Sequence, residues 1–324
     1  MNNDIIFTET IKINDLISDS DSSDDFTIDV MYNHVPKLNL PFINYKNNNL
    51  PIYYISSPFT SYEHISIYNN LLTSNFFKIG LSIYQEFPSN IKNKYENDFH
   101  KINPIDYQEN CFLWIHSFKN PHKFNLIDEE KNIFFNYSNF FVKQSNNFHS
   151  KNIDIIIICD NFFNISSKKW LKYYHNISLI NKSLPLLNNL NLNITIVDPN
   201  NIVDKYSNVN YVDTYDNLNS LLDKSKICII FNKHASFIPY VGNALVRNNV
   251  ILMYHSILGE WNLINKYTGS FFSDQKSLID NLQFVYNNLS NFKPRKWYLK
   301  KHNPNLQIQN LHNTISKLYK NNIQ

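Results

Sequence analysis

The length, composition and charge of the chain limit the kinds of protein it can be. At 324 residues it exceeds the usual size of a single hydrophobic core, so two domains of roughly 150 residues each are expected. Hydrophobic residues make up 43% of the chain, which excludes a protein that is disordered throughout. The net charge is +3, but residues 1–30 carry eight acidic side chains and one lysine, so the remainder carries +10.

The basic remainder suits a ligand that bears phosphate. Its lysines are scattered among asparagines and form no arginine-rich stripe, so no nucleic-acid partner is expected. The cysteines, Cys111, Cys159 and Cys228, each lie in a strand-like run. Their odd number and wide spacing predict core thiols rather than disulfides or a zinc site.

Residues 1–45 predict an acidic, partly disordered N-terminal segment, because the stretch 15–30 is rich in aspartate and serine. The first residues lack the basic and apolar regions of a secretory signal. No apolar run approaches the ~18 residues of a membrane span. We therefore expect a cytoplasmic protein without a transmembrane segment.

Residues 46–150 predict an N-terminal α/β lobe. Strand-like runs occur at 51–56, 76–84, 111–117 and 133–137, and residues 62–72 have helical spacing.

Residues 151–292 show a clearer alternation of strands and helices. Strands are predicted at 153–159, 193–197, 210–214, 226–231, 250–254 and 270–273, and helices at 167–189, 218–224, 239–247 and 275–289. The unbroken β-branched run of the first strand is typical of a sheet covered by helices on both faces. The alternation predicts a parallel, doubly wound sheet with right-handed crossovers. Residues 293–324 are expected to form a C-terminal helical extension.

Ligands of such a sheet bind beyond the carboxyl ends of its strands. Three of the four glycines, Gly242, Gly259 and Gly269, lie in a single stretch of 28 residues within this lobe. Pro239 suits the first turn of the helix that contains Gly242, and the free amides of that turn can hold a diphosphate. The alternative is that Gly242 permits close packing between helix and sheet. Trp261 can likewise cover a base or sugar, or belong to the core.

Lys168, His175 and Lys182 are the basic candidates, in the helix after the first strand of this lobe. A cation there can stabilise the negative charge that develops on a departing diphosphate without a metal. Each of them alone can equally be a solvated surface group. The chain has no Walker loop, G-x-G-x-x-G, H-E-x-x-H or G-x-S-x-G pattern, so kinases, dinucleotide oxidoreductases, zinc proteases and serine hydrolases lack their signatures.

Several motifs carry a resemblance to a known family. Between residues 226 and 274 they are 231–232 (FN), 243–248 (NALVRN), 250–253 (VILM), 259–261 (GEW) and 267–272 (YTGSFF). This stretch resembles the donor-nucleotide lobe of GT-B glycosyltransferases, especially a group found in giant viruses and some algae. Residues 170–176 are similar to that group's W-x-x-Y-x-R-N helix, and residues 82–88 to its S-x-Y-Q-x-F-P loop. The resemblance implies two Rossmann-like lobes in the GT-B architecture.

The chain also departs from the family pattern. Many retaining members carry two glutamates eight residues apart, and the matching positions hold Ala235 and Asn243. His175 replaces the expected arginine, and Glu260 replaces the second glycine before the tryptophan. Asn243 can still bond a ribose hydroxyl, but more weakly than a carboxylate.

The resemblance implies a metal-independent glycosyltransferase, in a host cytoplasm if the protein is viral. It would transfer a sugar from a nucleoside diphosphate sugar to a glycan or protein acceptor, with no cofactor. Phosphate contacts are expected from His175 and Lys182, a ribose contact from Asn243, and a donor-pocket lining from Ser236 and Trp261. The remaining expected donor-binding residues are Asn232, Tyr240, Gly242 and Gly259, and no catalytic base is assigned. The alternatives are a catalytically degenerate GT-B-like protein that binds a nucleotide or glycan without turnover, and a purely structural protein.

Overall fold

The computed structural model describes residues 52–57, 77–82, 113–119, 121, 130–136, 138–139, 142–143, 150–160, 168–233 and 238–323. The predicted N-terminal segment 1–45, the predicted helix 62–72, Cys111 and Ser236 lie outside these residues. The chain divides into two compact units. The first comprises Met1–Asn136 and Asn305–Gln324, and the second Tyr137–Pro304.

The first unit contains a four-stranded parallel sheet in the order β1-β2-β3-β4. Its strands are β1 (Ile52–Ser57), β2 (Phe77–Ser82), β3 (Leu113–His116) and β4 (Asn132–Phe134). All four residues of β3 are buried. The predicted runs therefore correspond to strands whose ends differ by a few residues.

The second unit contains a six-stranded sheet in which every neighbouring pair is parallel. Its strands are β5 (Ile153–Ile158), β6 (Ile194–Val197), β7 (Val209–Val212), β8 (Ser225–Ile230), β9 (Val250–Tyr254) and β10 (Gly269–Phe272). Their order is β10-β9-β8-β5-β6-β7. On one side of β5 the chain adds β6 and then β7. It then places β8 on the other side of β5 and continues there with β9 and β10, which is the Rossmann order. The predicted parallel, doubly wound sheet is confirmed.

The helices between the strands of the second unit are α1 (Lys168–Tyr174), α2 (Ile177–Asn188), α3 (Leu218–Lys224) and α4 (Tyr240–Val246). After the last strand come α5 (Gln275–Asn287) and α6 (Pro294–Lys301). The last helix, α7 (Pro304–Ile323), belongs to the first unit from Asn305 onward. The single helix predicted at 167–189 is wrong. Asn176 adopts the left-handed conformation, with φ 51° and ψ 46°, and separates α1 from α2. Asparagine tolerates this conformation better than most residues.

The core of the second unit lies along its three central strands. Residues 155–157, 227–230 and 251–253 are almost completely excluded from solvent, as expected for strands covered on both faces. Cys159 and Cys228 are buried free thiols in this core. Burial raises the pKa of the Cys228 thiol to about 12, so the thiol stays protonated and unreactive at neutral pH. Within the described ranges, no helix is both long and apolar enough to cross a bilayer.

Candidate nucleotide-binding site

The order of the second sheet reverses between β5 and β8, and ligands of Rossmann-type sheets bind at such a point. Asp160 lies just beyond the carboxyl end of β5, and Asn232 just beyond that of β8. His175 follows α1, and Tyr240 begins α4. The fold therefore brings three of the predicted site residues, His175, Asn232 and Tyr240, to one place.

These three side chains form a hydrogen-bonded chain, which we call the switch-point network. The Tyr240 hydroxyl donates to Asn232 Oδ1 at 3.1 Å, and Asn232 Nδ2 lies 3.4 Å from His175 Nδ1. His175 Nε2 lies 2.5 Å from the Asp160 carbonyl oxygen. A carbonyl oxygen can only accept, so Nε2 carries the ring proton and Nδ1 accepts from Asn232. Each donor in this chain has an acceptor.

His175 is a neutral member of this network. Its side chain is 1% exposed, and burial lowers the pKa of the imidazole to about 4, although the bond to the Asp160 carbonyl opposes that shift. The ring is therefore uncharged at neutral pH. Burial, followed by the nearby Asp160 charge, raises the pKa of the Tyr240 hydroxyl well above its usual value. The structure thus places His175 as a neutral hydrogen-bonding residue, not as the cation expected from the sequence.

Lys182 lies on α2 with its side chain exposed. Its carbonyl oxygen accepts a bond from Gln275 Nε2, the side chain of the first residue of α5. Lys182 therefore lies beside the helix that follows β10. Lys168, at the start of α1, is also exposed. Both side chains are thus open to solvent.

Gly242 lies where α4 meets a segment that precedes β5. We call four described residues, Ser138, Asn139, Val142 and Lys143, the lead-in segment. A Cβ atom at Gly242 would lie 2.6 Å from Val142 Cγ2, 2.8 Å from Tyr298 Oη and 3.2 Å from the Ser138 carbonyl oxygen. Its missing side chain therefore permits close packing of α4 against the lead-in segment and α6. These contacts are a form of close packing, but with the lead-in segment and α6 rather than with the sheet that the sequence suggested.

Asn243 also faces the lead-in segment. Its side chain is 8% exposed, and Oδ1 accepts from the Lys143 amide at 2.8 Å and from Arg247 Nη1 at 3.2 Å. Arg247 Nη1 donates as well to the Lys143 carbonyl at 3.0 Å. The oxygen expected to bond a ribose therefore already accepts two intramolecular bonds. Asn243 holds the chain in place in this structure.

The loop after β9 contains Gly259, Glu260 and Trp261. Gly259 is buried, and Trp261 is half-buried at the start of a 3-10 helix, Trp261–Leu263. Glu260 adopts the left-handed conformation, with φ 60° and ψ 0°. Glycine reaches this conformation at no steric cost, which explains why the related motif carries a glycine there. The glycine expected at position 260 was therefore the sequence signal for a left-handed backbone conformation there.

Glu260 is a buried carboxyl group whose contacts the sequence did not predict. Its Oε1 accepts from the Ser138 amide at 3.1 Å, and its Oε2 from the Ser138 hydroxyl at 2.8 Å. Burial raises the pKa of Glu260 to about 7, although the Ser138 bonds oppose the shift. Beside it, the Tyr298 hydroxyl donates to Asn139 Oδ1 at 2.5 Å. Glu260 and Tyr298 therefore fix the lead-in segment from a second and a third element.

The predicted pocket residue Ser236 and the aligned Ala235 lie outside the described residues. Among the residues that are described, no three histidine, cysteine, aspartate or glutamate side chains are grouped so as to hold a metal ion.

Comparison with known proteins gives likeness in structure only. No protein-family profile and no curated protein matches the sequence. Anabaena HepE, solved in complex with UDP and glucose, is similar with a TM-score of 0.57 and 10% identity, over 82% of this chain and 78% of HepE. WaaG, a glycosyltransferase involved in lipopolysaccharide biosynthesis, is similar with a TM-score of 0.53 and 9% identity, over 80% of this chain and 85% of WaaG.

TarM from S. aureus is similar with a TM-score of 0.55 and 12% identity, over 82% of this chain. The chain spans about half the length of TarM, of which the likeness covers 54%. These likenesses show the fold, and this chain has a GT-B glycosyltransferase-like fold.

Proposed function

We propose that this protein is a glycosyltransferase that takes a sugar from a nucleoside diphosphate sugar and transfers it to a glycan or protein acceptor without a metal. One observation carries the proposal. The sheet of the second unit reverses between β5 and β8, and buried polar side chains meet at that point, within a fold shared with the UDP-bound HepE. The motifs similar to the giant-virus and algal group support a donor site in this unit.

The residues suggest how such a site would act. The switch-point network is neutral, so it can orient the loops after β5 and β8 but cannot neutralise a diphosphate. Of the two residues expected to contact phosphate, His175 and Lys182, this role then falls to Lys182. Trp261 and Ser236 would line the donor pocket. Catalysis would then come mainly from holding both substrates in one geometry and from stabilising the leaving diphosphate.

A second candidate is a protein that binds a nucleotide or glycan without turnover. The position aligned with the second family glutamate holds a neutral amide, whose oxygen is engaged by the lead-in segment and Arg247. Such a site keeps the fold and lacks the carboxylate that the family pattern places beside the donor.

Two measurements separate these candidates. The first is the melting temperature of the full chain with UDP, GDP, ADP and several sugar nucleotides, because a ligand at 100 times its Kd stabilises by about 2.7 kcal/mol. The second is donor hydrolysis. Stabilisation together with hydrolysis supports the transferase, and stabilisation without hydrolysis of any donor overturns it in favour of the binder. No stabilisation by any nucleotide overturns the transferase and the nucleotide-binding form of the second candidate.

A pair of lysine variants tests the site itself. Lys182→Ala should reduce the nucleotide-induced rise in melting temperature, since it removes the predicted phosphate contact. Lys172→Ala, an exposed lysine of α1, is the matched control and should leave that rise unchanged. Equal effects of the two variants would exclude Lys182 from the donor site.

A further inference from the structure

Glu260 is fully buried, and both of its carboxyl oxygens are bonded by one residue, Ser138. No lysine, arginine or histidine within the described ranges bonds to it. A buried carboxylate without a cation is unstable relative to the same group in water, even with two hydrogen bonds. Opening of the loop or of the lead-in segment would return the carboxylate to water.

Among the described residues around Glu260, no cationic side chain compensates the charge of its carboxylate. From α6, Tyr298 is the titratable side chain that senses it; burial first, and then the Glu260 charge, raise the pKa of Tyr298 well above its usual value. Tyr298 is therefore neutral over the physiological range. From the lead-in segment, Ser138 supplies an amide and a hydroxyl, and α4 contributes Gly242 at the same packed surface.

The contact between Glu260 and Ser138 lies near the start of the second unit. Ser138 lies next to Tyr137, the first residue of the second unit. Three elements hold the lead-in segment: α4 through Asn243 and Arg247, α6 through Tyr298, and the loop after β9 through Glu260. Glu260 is the one of these contacts that changes charge near neutral pH.

We propose that Glu260 is a proton-sensitive anchor of the lead-in segment. In its protonated form it keeps the lead-in segment closed on the second unit, and in its ionised form it favours the opening of that segment. A protonated carboxyl keeps both contacts, because its O–H donates to the Ser138 hydroxyl while the other oxygen accepts from the amide. The inference does not depend on the proposed transferase activity.

The direction in which pH changes the opening of the lead-in segment follows from two protonation equilibria of Glu260. The closed carboxyl ionises with a pKa of about 7, and the opened one near its ordinary value of 4.5. Opening therefore releases a proton between these two values, and it becomes more favourable as the pH rises through this window. From pH 5 to pH 8 the opening constant should rise on the order of 100-fold, because each unit of difference in pKa is tenfold.

Amide hydrogen exchange of the full chain from pH 5 to pH 8, corrected for the intrinsic pH dependence of exchange, measures this opening. Protection of the lead-in segment and of residues 259–263 should fall on the order of 100-fold in the wild type. In Glu260→Gln it should stay constant. Asp280→Asn, which changes an exposed carboxyl on α5, is the matched control and should behave as the wild type. Constant protection in the wild type, or the same fall in Glu260→Gln, would overturn the proposal.

A second variant covers the case in which Glu260→Gln does not fold. Ser138→Ala removes the hydroxyl that lowers the pKa of Glu260, so the midpoint of the change in protection should move to higher pH. A midpoint that does not move would overturn the assignment of the transition to Glu260.

Discussion

Gly242→Ala tests whether α4 packs on the lead-in segment as closely as the structure shows. The added methyl would lie 2.6 Å from Val142 Cγ2 and 2.8 Å from Tyr298 Oη. Val142 can rotate away, but Tyr298 is held by its bond to Asn139. Overpacking of this kind costs about 1–3 kcal/mol, and the greater helix propensity of alanine returns about 0.5–1 kcal/mol. From the middle of each range, the net expectation is a loss of stability of about 1 kcal/mol.

Chemical denaturation of the full chain, followed by the far-ultraviolet circular dichroism of its helices, measures the loss. Ser220→Ala, at an exposed position of α3, is the control for helix propensity alone and should change stability by less than about 0.5 kcal/mol. Val142→Ala should recover part of the loss when combined with Gly242→Ala, because it removes the atom that the new methyl meets. A Gly242→Ala variant as stable as the wild type would refute the packing and return Gly242 to the diphosphate alternative.

Three further substitutions have expected outcomes. Gly269→Ala places a Cβ 1.8 Å from the backbone oxygen of Ile251, which cannot move aside. We therefore expect circular dichroism of the expressed variant to show no folded second unit, and a stable variant would contradict the β9–β10 register. Tyr240→Phe leaves the buried oxygen of Asn232 with one donor fewer, so the free energy of unfolding should fall by about 1–3 kcal/mol in denaturant titrations. An unchanged midpoint would show that the switch-point network does not stabilise the protein. Asp274→Ala removes the cap of α5 and should cost about 1 kcal/mol by the same titration, whereas a loss below about 0.3 kcal/mol would show that water replaces the cap.

The strands and most helices of the second unit could be predicted because local signals fix them. β9 and α3 begin and end at the predicted residues, since an apolar run and a short amphipathic run are each bounded by polar residues. The break between α1 and α2 was missed because its cause is distant in sequence. The carbonyl oxygen of Tyr174 accepts from the amide of Lys233, beyond β8, at 2.7 Å.

The roles of the site residues could be predicted only in part, for the same reason. The position of Asn232 after a predicted strand placed it at a carboxyl end of the sheet, and the strand order of the structure adds that this end is the switch point. The ionisation of His175 depends on burial that its own helix does not reveal. Gly242 and Asn243 meet a segment about a hundred positions earlier, and Glu260 binds a serine 122 positions earlier, so no local pattern indicates their partners.

The central pairing of the second sheet has a consequence during synthesis of the chain. Ile153 of β5 pairs with Ser225 of β8, 72 positions later. At about 5–20 residues per second, the ribosome needs several seconds to add that stretch. Once β6 has been made, β5 has a partner on one side and an uncovered edge of isoleucines on the other, and such edges pair readily with other chains. The need for chaperones to protect this edge of β5 should therefore be greatest while residues between β6 and β8 are being made, and it should fall when β8 pairs with β5.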